Sequence, residues 1–167
     1  MHSGLDHLVG NLLSLFVLGH AVCRLFGGGL GCLLMLGSGM AGNLAVAWLV
    51  RSHHVSVGAS TASFGAIGIL VAYQCLRLLR GWHEWRSIWS RTWIPLGSGI
   101  CLLALLGTGP DSDVGAHLFG FTFGLILAIP VSLWGIRWLS DWGQRALALI
   151  CLALVLSAWA LASRHAV

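Results

Sequence analysis

Four polar side chains stand out in a strongly apolar chain: Ser60, His117, His7 and Asn11. A serine hydroxyl is a weak nucleophile until a base takes its proton, and histidine commonly does so near neutral pH. The oxyanion that then forms needs fixed hydrogen-bond donors. His7 and Asn11 are four residues apart and would offer a ring N–H and an amide N–H from one helical face. These residue types predict an acyl-transfer site with Ser60 as nucleophile, His117 as general base and His7 and Asn11 as oxyanion donors.

The segment that carries the serine, "GASTASFGAIG" (58–68), has the spacing of a helix. Ser60, Phe64 and Gly68 form an i, i+4, i+8 stripe, so the Phe64 ring would lie one turn below the hydroxyl and pack against an imidazole. Gly68 would admit a neighbouring helix, and Gly58 leaves room for the turn into this one. Ser63, three positions after Ser60, is the alternative nucleophile, although it lacks the preceding glycine context.

The segment that carries the histidine, "GAHLFGFTFG" (115–124), contains a GxxxG pair at Gly120 and Gly124. Small residues at this spacing allow helix backbones to approach closely, which is equally typical of ordinary membrane-helix packing. Asp113 stands four residues before His117 and would orient it as a third triad member. The interpretation we favour is that Ser112 or Asp113 caps the helix that follows.

Composition places these motifs in a membrane. Of 167 residues, 57% are hydrophobic and 8% are charged, and the mean hydropathy is +0.89, whereas a soluble domain carries about 25% charged residues. All nine basic residues are arginine and the net charge is +4, so lipid headgroups rather than nucleic acid are the expected counter-charge. The five cysteines form no CxxC pair, and the adjacent His53 and His54 lack a third ligand, so no metal is predicted.

Charged and turn residues divide the chain into six apolar stretches, each near the ~20 residues that a membrane helix needs. We expect an all-α, polytopic membrane protein with six transmembrane helices at 8–23, 25–50, 55–76, 93–109, 114–136 and 146–163. If the N-terminus as given is outside, seven arginines fall in inner loops and two in outer segments, which satisfies the positive-inside rule. Ser60, His117 and the His7–Asn11 pair then lie at the outer ends of three different helices. Polar groups inside membrane spans are rare and usually functional.

"HLVGN", "GASTASFGAIG" and "GAHLFGFTFG" resemble, in order, separation and helix context, the HxxxN, GxSx and AHxxGxxxG motifs of the rhomboid family of intramembrane serine proteases. The resemblance covers about residues 1–130 and implies a single rhomboid-like helical bundle over 1–167. Thr61 stands where the family commonly has glycine. The family has another helix before the HxxxN segment, so either the start is truncated or the chain resembles a shortened, bacterial-type member; it also has an additional C-terminal helix at about 146–163.

The resemblance implies a cofactor-free enzyme in which Ser60 and His117 form a catalytic dyad, His7 and Asn11 stabilise the oxyanion, and Phe64 stacks on His117. Its substrates would be single-span transmembrane proteins, cut near the outer face of the membrane. The expected location is a bacterial cytoplasmic (inner) membrane. Two alternatives stay open: an inactive rhomboid-like protein that binds transmembrane helices without cutting them, and, more distantly, a transporter or assembly factor.

Overall fold

The computed structural model describes residues 3–49, 59–80, 113–134 and 139–165. These residues form five helices and, within the described ranges, no strand. The helices are α1 (Ser3–Phe26), α2 (Gly28–Leu49), α3 (Ser60–Arg80), α4 (Val114–Trp134) and α5 (Asp141–His165). The span predicted at 93–109 lies outside the described residues.

Four of the five helices are long and apolar enough to cross a membrane. Their spanning segments are Leu8–Phe26, Gly28–Leu49, Val114–Trp134 and Asp141–Arg164. The chain is therefore a multi-pass membrane protein with an all-helical fold. The remaining helix, α3, has 21 residues and a length of about 31 Å at 1.5 Å per residue.

The last helix begins earlier than predicted, at Asp141 instead of Ala146. The sequence places Arg145 in a loop because it is charged, yet Arg145 lies in the second turn of α5 with its guanidinium 5.7 Å from the centre of the Trp142 ring. Ser140 supplies a side-chain cap by accepting a hydrogen bond from the Gly143 N–H at 3.3 Å. The cap and the contact between cation and ring both stabilise this helix start.

Contacts between helix ends show that α1, α3 and α4 run in the same direction. The Phe26 ring at the end of α1 meets the Tyr73 ring near the end of α3 edge-on, with centroids 5.5 Å apart. Arg80, the last residue of α3, donates a hydrogen bond to Ser132 O near the end of α4. The first turns of the three helices therefore meet at one end of the bundle, which we call the Ser60 end; the opposite end is called the Arg77 end.

Helix α3 lies at the centre of the bundle and packs against α1, α2 and α4. Its residues Ala66, Ile69 and Ala72 enter a core that also contains Val22 and Phe26 of α1. Lipid tails are as apolar as these side chains, so burying them between helices in a bilayer supplies little hydrophobic driving force. Close packing and small residues consequently carry more of the specificity.

A single glutamine joins α5 to the turn between α1 and α2. Gln144 Oε1 accepts a hydrogen bond from the Leu30 N–H at 2.9 Å, and Gln144 Nε2 donates to Phe26 O at 3.0 Å. The turn itself needs Gly27, whose φ of 85° is left-handed and whose absent side chain leaves space for the Gln144 amide. Both bonds satisfy backbone groups at helix ends that have no partner within their own helix.

Candidate active site

Ser60 is the first residue of α3 and is partly exposed at the Ser60 end. A hydroxyl in the first helical turn has backbone N–H groups of the same turn close by, since these have no partner within the helix. In this position Ser60 stays a candidate nucleophile with backbone N–H donors in its own turn.

His117 lies in the first turn of α4, is 2% exposed, and faces α3. Its imidazole stacks on the Phe64 ring with centroids 4.3 Å apart and an angle of 31° between the planes. Phe64 is one helical turn after Ser60. The ring contact therefore brings the first turn of α4 against the second turn of α3.

Glycines on α3 and α4 allow the two helices to approach closely. A Cβ on Gly68 would collide with Phe121 O, one on Gly120 with Thr61 O, and one on Gly124 with the backbone of Gly65. The close approach is what holds His117 and Phe64 within stacking distance. These contacts place Gly68, Gly120 and Gly124 at the α3–α4 crossing.

Thr61 turns away from the serine and into the junction of α2, α3 and α4. Its side chain is 1% exposed, its hydroxyl donates to Asn43 Oδ1 of α2 at 2.9 Å, and its methyl group lies in the narrow space beside Gly42 and Gly120. The side chain therefore fills a helix interface instead of the space above Ser60. Sequence reasoning singled out Thr61 but missed its partner Asn43, for which the only signal was an asparagine inside an apolar span.

Ser63 is more enclosed than Ser60. It is 5% exposed, and its hydroxyl donates to Ala59 O of the preceding turn at 3.4 Å. Such a back-bond to its own helix is the ordinary fate of serine in an apolar helix, which favours Ser60 as the accessible hydroxyl.

Asp113 caps α4. Its Oδ1 accepts a hydrogen bond from the Ala116 N–H at 2.9 Å, and its backbone carbonyl accepts one from the His117 N–H at 3.0 Å. The capping interpretation is confirmed. The cap fixes the backbone of the turn that carries the histidine.

His7 and Asn11 both belong to α1, one turn apart at the Ser60 end. Asn11 is half-buried, and no described hydrogen bond joins it to Ser60 or His117. The His7 side chain and Gly58 lie outside what the structure describes. Among the described residues, no group of three potential metal ligands occurs.

A family model for the Rhomboid domain matches residues 1–134 of this chain. The chain belongs to the rhomboid family. This confirms the resemblance seen in the sequence motifs, and the family match covers α1 to α4 and thus every candidate site residue.

Several named rhomboid proteins are similar to the chain. The Rhomboid-type serine protease 2 of Emericella nidulans is 34% identical over 131 residues, which are 78% of this chain and 25% of that protein. RHOMBOID-like protein 1 of Arabidopsis thaliana is 34% identical over 130 residues, 76% of this chain and 31% of that protein. Rhomboid protease GluP of Bacillus subtilis is 31% identical over 138 residues, 80% of this chain and 25% of that protein.

The chain thus spans about a quarter to a third of the length of these curated rhomboid relatives. No solved structure matches it significantly. The rhomboid match places the protein in a family that includes named intramembrane serine proteases.

Proposed function

We propose that this rhomboid protein is an intramembrane serine protease that uses Ser60 and His117 as a catalytic dyad. The observation that supports the proposal is the stacking of His117 on Phe64, because it brings the imidazole to the helical turn next to the one that carries Ser60. The named serine proteases among its relatives support the same activity.

In the proposed reaction, His117 accepts the proton of Ser60 while Oγ attacks the carbonyl carbon of the scissile peptide bond. The negative charge that develops on the carbonyl oxygen is stabilised by the backbone N–H of Ser60 and by the side chains of His7 and Asn11. His117 then gives its proton to the leaving amine, and an acyl-enzyme remains. Water, deprotonated by His117, hydrolyses the ester and restores the free serine.

The proposed substrates are single-span transmembrane proteins, and the proposed site of cleavage lies near the outer membrane face. The arginine distribution supports this orientation, because it assigns the Ser60 end to the outside. A hydrolytic site needs water, and the ends of membrane helices are nearer to water than their centres.

The test uses the purified full chain in detergent with a serine-directed fluorophosphonate probe and a single-span substrate that contains helix-breaking residues. We expect labelling of Ser60 and cleavage in the unaltered protein, and a loss of both on Ser60→Ala. His117→Ala should reduce labelling and cleavage at least about 100-fold, in line with the contribution of a general base. Ser63→Ala is the matched control, and should retain both.

Three results would contradict this assignment. Labelling that survives Ser60→Ala and is lost on Ser63→Ala would make Ser63 the nucleophile. Cleavage that persists in both His117→Ala and His117→Gln would remove the histidine from the reaction. Stable binding of the substrate without labelling or cleavage, in protein shown to be folded by circular dichroism, would indicate a non-catalytic helix-binding protein.

A further inference from the structure

The first turn of α3, which carries Ser60, has no side-chain cap from the residue before it. That residue is Ala59, whose methyl group cannot accept a hydrogen bond. The starts of α2, α4 and α5 each have a backbone N–H that donates to a side chain, from Gln144, Asp113 and Ser140 respectively. A helix start without such a cap frays more easily. The position of Ser60 therefore depends on contacts made further along α3.

Thr61, the next residue, joins this turn to α2. Its hydroxyl donates to Asn43 Oδ1 at 2.9 Å, and its side chain is 1% exposed. A β-branched side chain has few allowed χ1 rotamers. Its hydroxyl and its methyl group are both attached to Cβ, so fixing the two leaves the Thr61 backbone little freedom to rotate. The hydrogen bond therefore restrains the peptide unit that links Ser60 to Thr61.

The same residue sets the spacing between α3 and α4 at this level. The Thr61 methyl carbon would lie 2.8 Å from a Cβ on Gly42 and 2.9 Å from a Cβ on Gly120, and Thr61 O also lies against Gly120. Gly120 is about one helical turn after His117 on α4. Thr61 thus contacts the helix that carries the candidate base, while its neighbour Ser60 is the candidate nucleophile.

Thr61 is the first residue of the closely packed face of α3. Thr61, Gly65 and Gly68 have the i, i+4, i+7 spacing of one helical face, and each lies against a neighbouring helix. The two glycines hold the middle of α3. Thr61 holds its first turn, because α3 begins only one residue earlier, at Ser60.

Asn43 is a polar residue in α2, a helix that is long and apolar enough to cross a membrane. Polar side chains inside membrane spans are rare and are usually functional. Those that form hydrogen bonds between helices help to hold the helices together. The bond from Thr61 gives Asn43 this role at the helix turn that carries Ser60.

We propose that Asn43 and Thr61 form a positioning pair that holds the Ser60 hydroxyl in place relative to the His117 imidazole. The two side chains act through the backbone of α3 and not through contact with the reacting atoms. This role rests on the proposed serine protease activity. It gives α2 a part in the reaction, although α2 carries none of the candidate catalytic residues.

The test measures the second-order rate at which a fluorophosphonate labels Ser60 in the purified full chain, together with kcat and KM for a single-span substrate. All rates are taken at a temperature at which circular dichroism shows every variant to be folded. A displacement of about 1 Å costs up to about 100-fold in rate. Thr61→Val removes the hydroxyl and keeps the shape, so we expect the labelling rate and kcat to fall about tenfold and KM to change less than about twofold.

Thr61→Ser is the matched conservative variant, because it keeps the hydroxyl and loses the methyl group. We expect it to retain at least about a third of the labelling rate, since the bond to Asn43 can still form. Equal losses in Thr61→Ser and Thr61→Val would mean that the methyl group, and not the hydrogen bond, positions this turn. That result would overturn the proposal.

A double-mutant cycle tests whether the two side chains act as a pair. In an Asn43→Ala background the Thr61 hydroxyl has lost this acceptor, so Thr61→Val should lower the labelling rate further by less than about twofold. A further loss of about tenfold in that background would show that the two residues act independently, and would contradict the proposal.

Ser38→Ala controls for a general loosening between α2 and α3. Ser38 is 0% exposed, lies against Gly65 of α3, and donates its hydroxyl to Met35 O of its own helix. We expect an unchanged labelling rate, even where the thermal stability falls. A fall in rate equal to that of Thr61→Val would make the effect one of stability alone, and would exclude a positioning role.

The unaltered protein separates this proposal from the one on which it rests. Equal labelling of Ser60 in the unaltered protein, Thr61→Val and Asn43→Ala would leave the protease assignment standing and remove the positioning role. Absence of Ser60 labelling in the unaltered, folded protein would instead remove the reaction itself, and the positioning role with it.

Discussion

At the residue scale, the most informative contact is the stacking of His117 on Phe64. A flat ring against the imidazole limits the rotation of the His117 side chain. The contact joins a residue from the serine segment to one from the histidine segment, which are 53 positions apart in sequence.

Phe64→Leu should lower the rate of substrate cleavage more than it changes the KM. Aromatic pairs contribute about 0.5–1.5 kcal/mol beyond simple burial, so we expect kcat to fall about two- to tenfold. Cleavage kinetics in detergent would measure the effect. Phe16→Leu is the control, because Phe16 is 76% exposed on α1 and should leave kcat unchanged; an equal fall in both variants would argue against a positioning role.

Thr61→Val should destabilise the protein, although valine has nearly the same shape as threonine. The variant removes the hydrogen bond to Asn43 Oδ1, for which we expect a loss of about 0.5–1.5 kcal/mol in the free energy of unfolding. Thermal unfolding in detergent would measure it. Thr122→Val is the matched control, since within the described residues the Thr122 hydroxyl bonds to Leu118 O of its own helix. If Thr61→Val were as stable as Thr122→Val, the bond to Asn43 would carry no stability.

At the scale of elements, the crossing of α3 and α4 depends on glycine. Leu, Val or even Ala at Gly68 or Gly124 would place a methyl group against the backbone of the facing helix. The helices would separate, and His117 would move away from Phe64.

Gly124→Ala should therefore cost stability and activity together. Overpacking a close interface costs about 1–3 kcal/mol, and we expect a loss in this range with a matching fall in fluorophosphonate labelling. Gly10→Ala is the control, because a Cβ there meets nothing within 4 Å; it should be neutral or slightly stabilising. Retained stability and labelling in Gly124→Ala would show that the helices do not need this close approach.

The attachment of α5 depends on Gln144, whose amide bridges the end of α1 and the start of α2. Gln144→Leu should loosen the turn, and we expect amide hydrogen exchange at Leu30 to become faster, because its N–H loses its acceptor. Ser157→Ala removes a hydroxyl that, among the residues the structure describes, bonds to Leu154 O of its own helix, and it should leave this exchange rate unchanged. Exchange that stayed slow in Gln144→Leu would mean that packing alone holds α5.

At the scale of the whole molecule, the parallel course of α1, α3 and α4 brings three polar helix starts to one end. The arginine distribution predicts that this end is outside. In a cysteine-free background, Ala59→Cys should react with a membrane-impermeant maleimide added to intact cells, whereas Leu139→Cys should react only after permeabilisation. Both positions are exposed at opposite ends of the bundle, and the reverse pattern would invert the orientation.

The sequence by itself determined the class of protein, the helical character of each described segment and the family. These follow from local properties: apolar length, arginine position and short motifs such as "GAHLFGFTFG". The sequence prediction of the start of α5 was wrong because the charge of Arg145 favoured a loop. In the structure Arg145 is helical, and its guanidinium lies over the Trp142 ring.

Only the tertiary structure decided how the segments meet. The Thr61 side chain packs against α2 and bonds to Asn43, and the Gln144 amide bonds to the turn between α1 and α2. The His117 ring packs against Phe64. None of these has a local signal, because each pairs residues from different helices whose relative rotation is set by close packing. The direction in which Thr61 points is a property of the three-helix junction, and its residue type alone leaves that direction open.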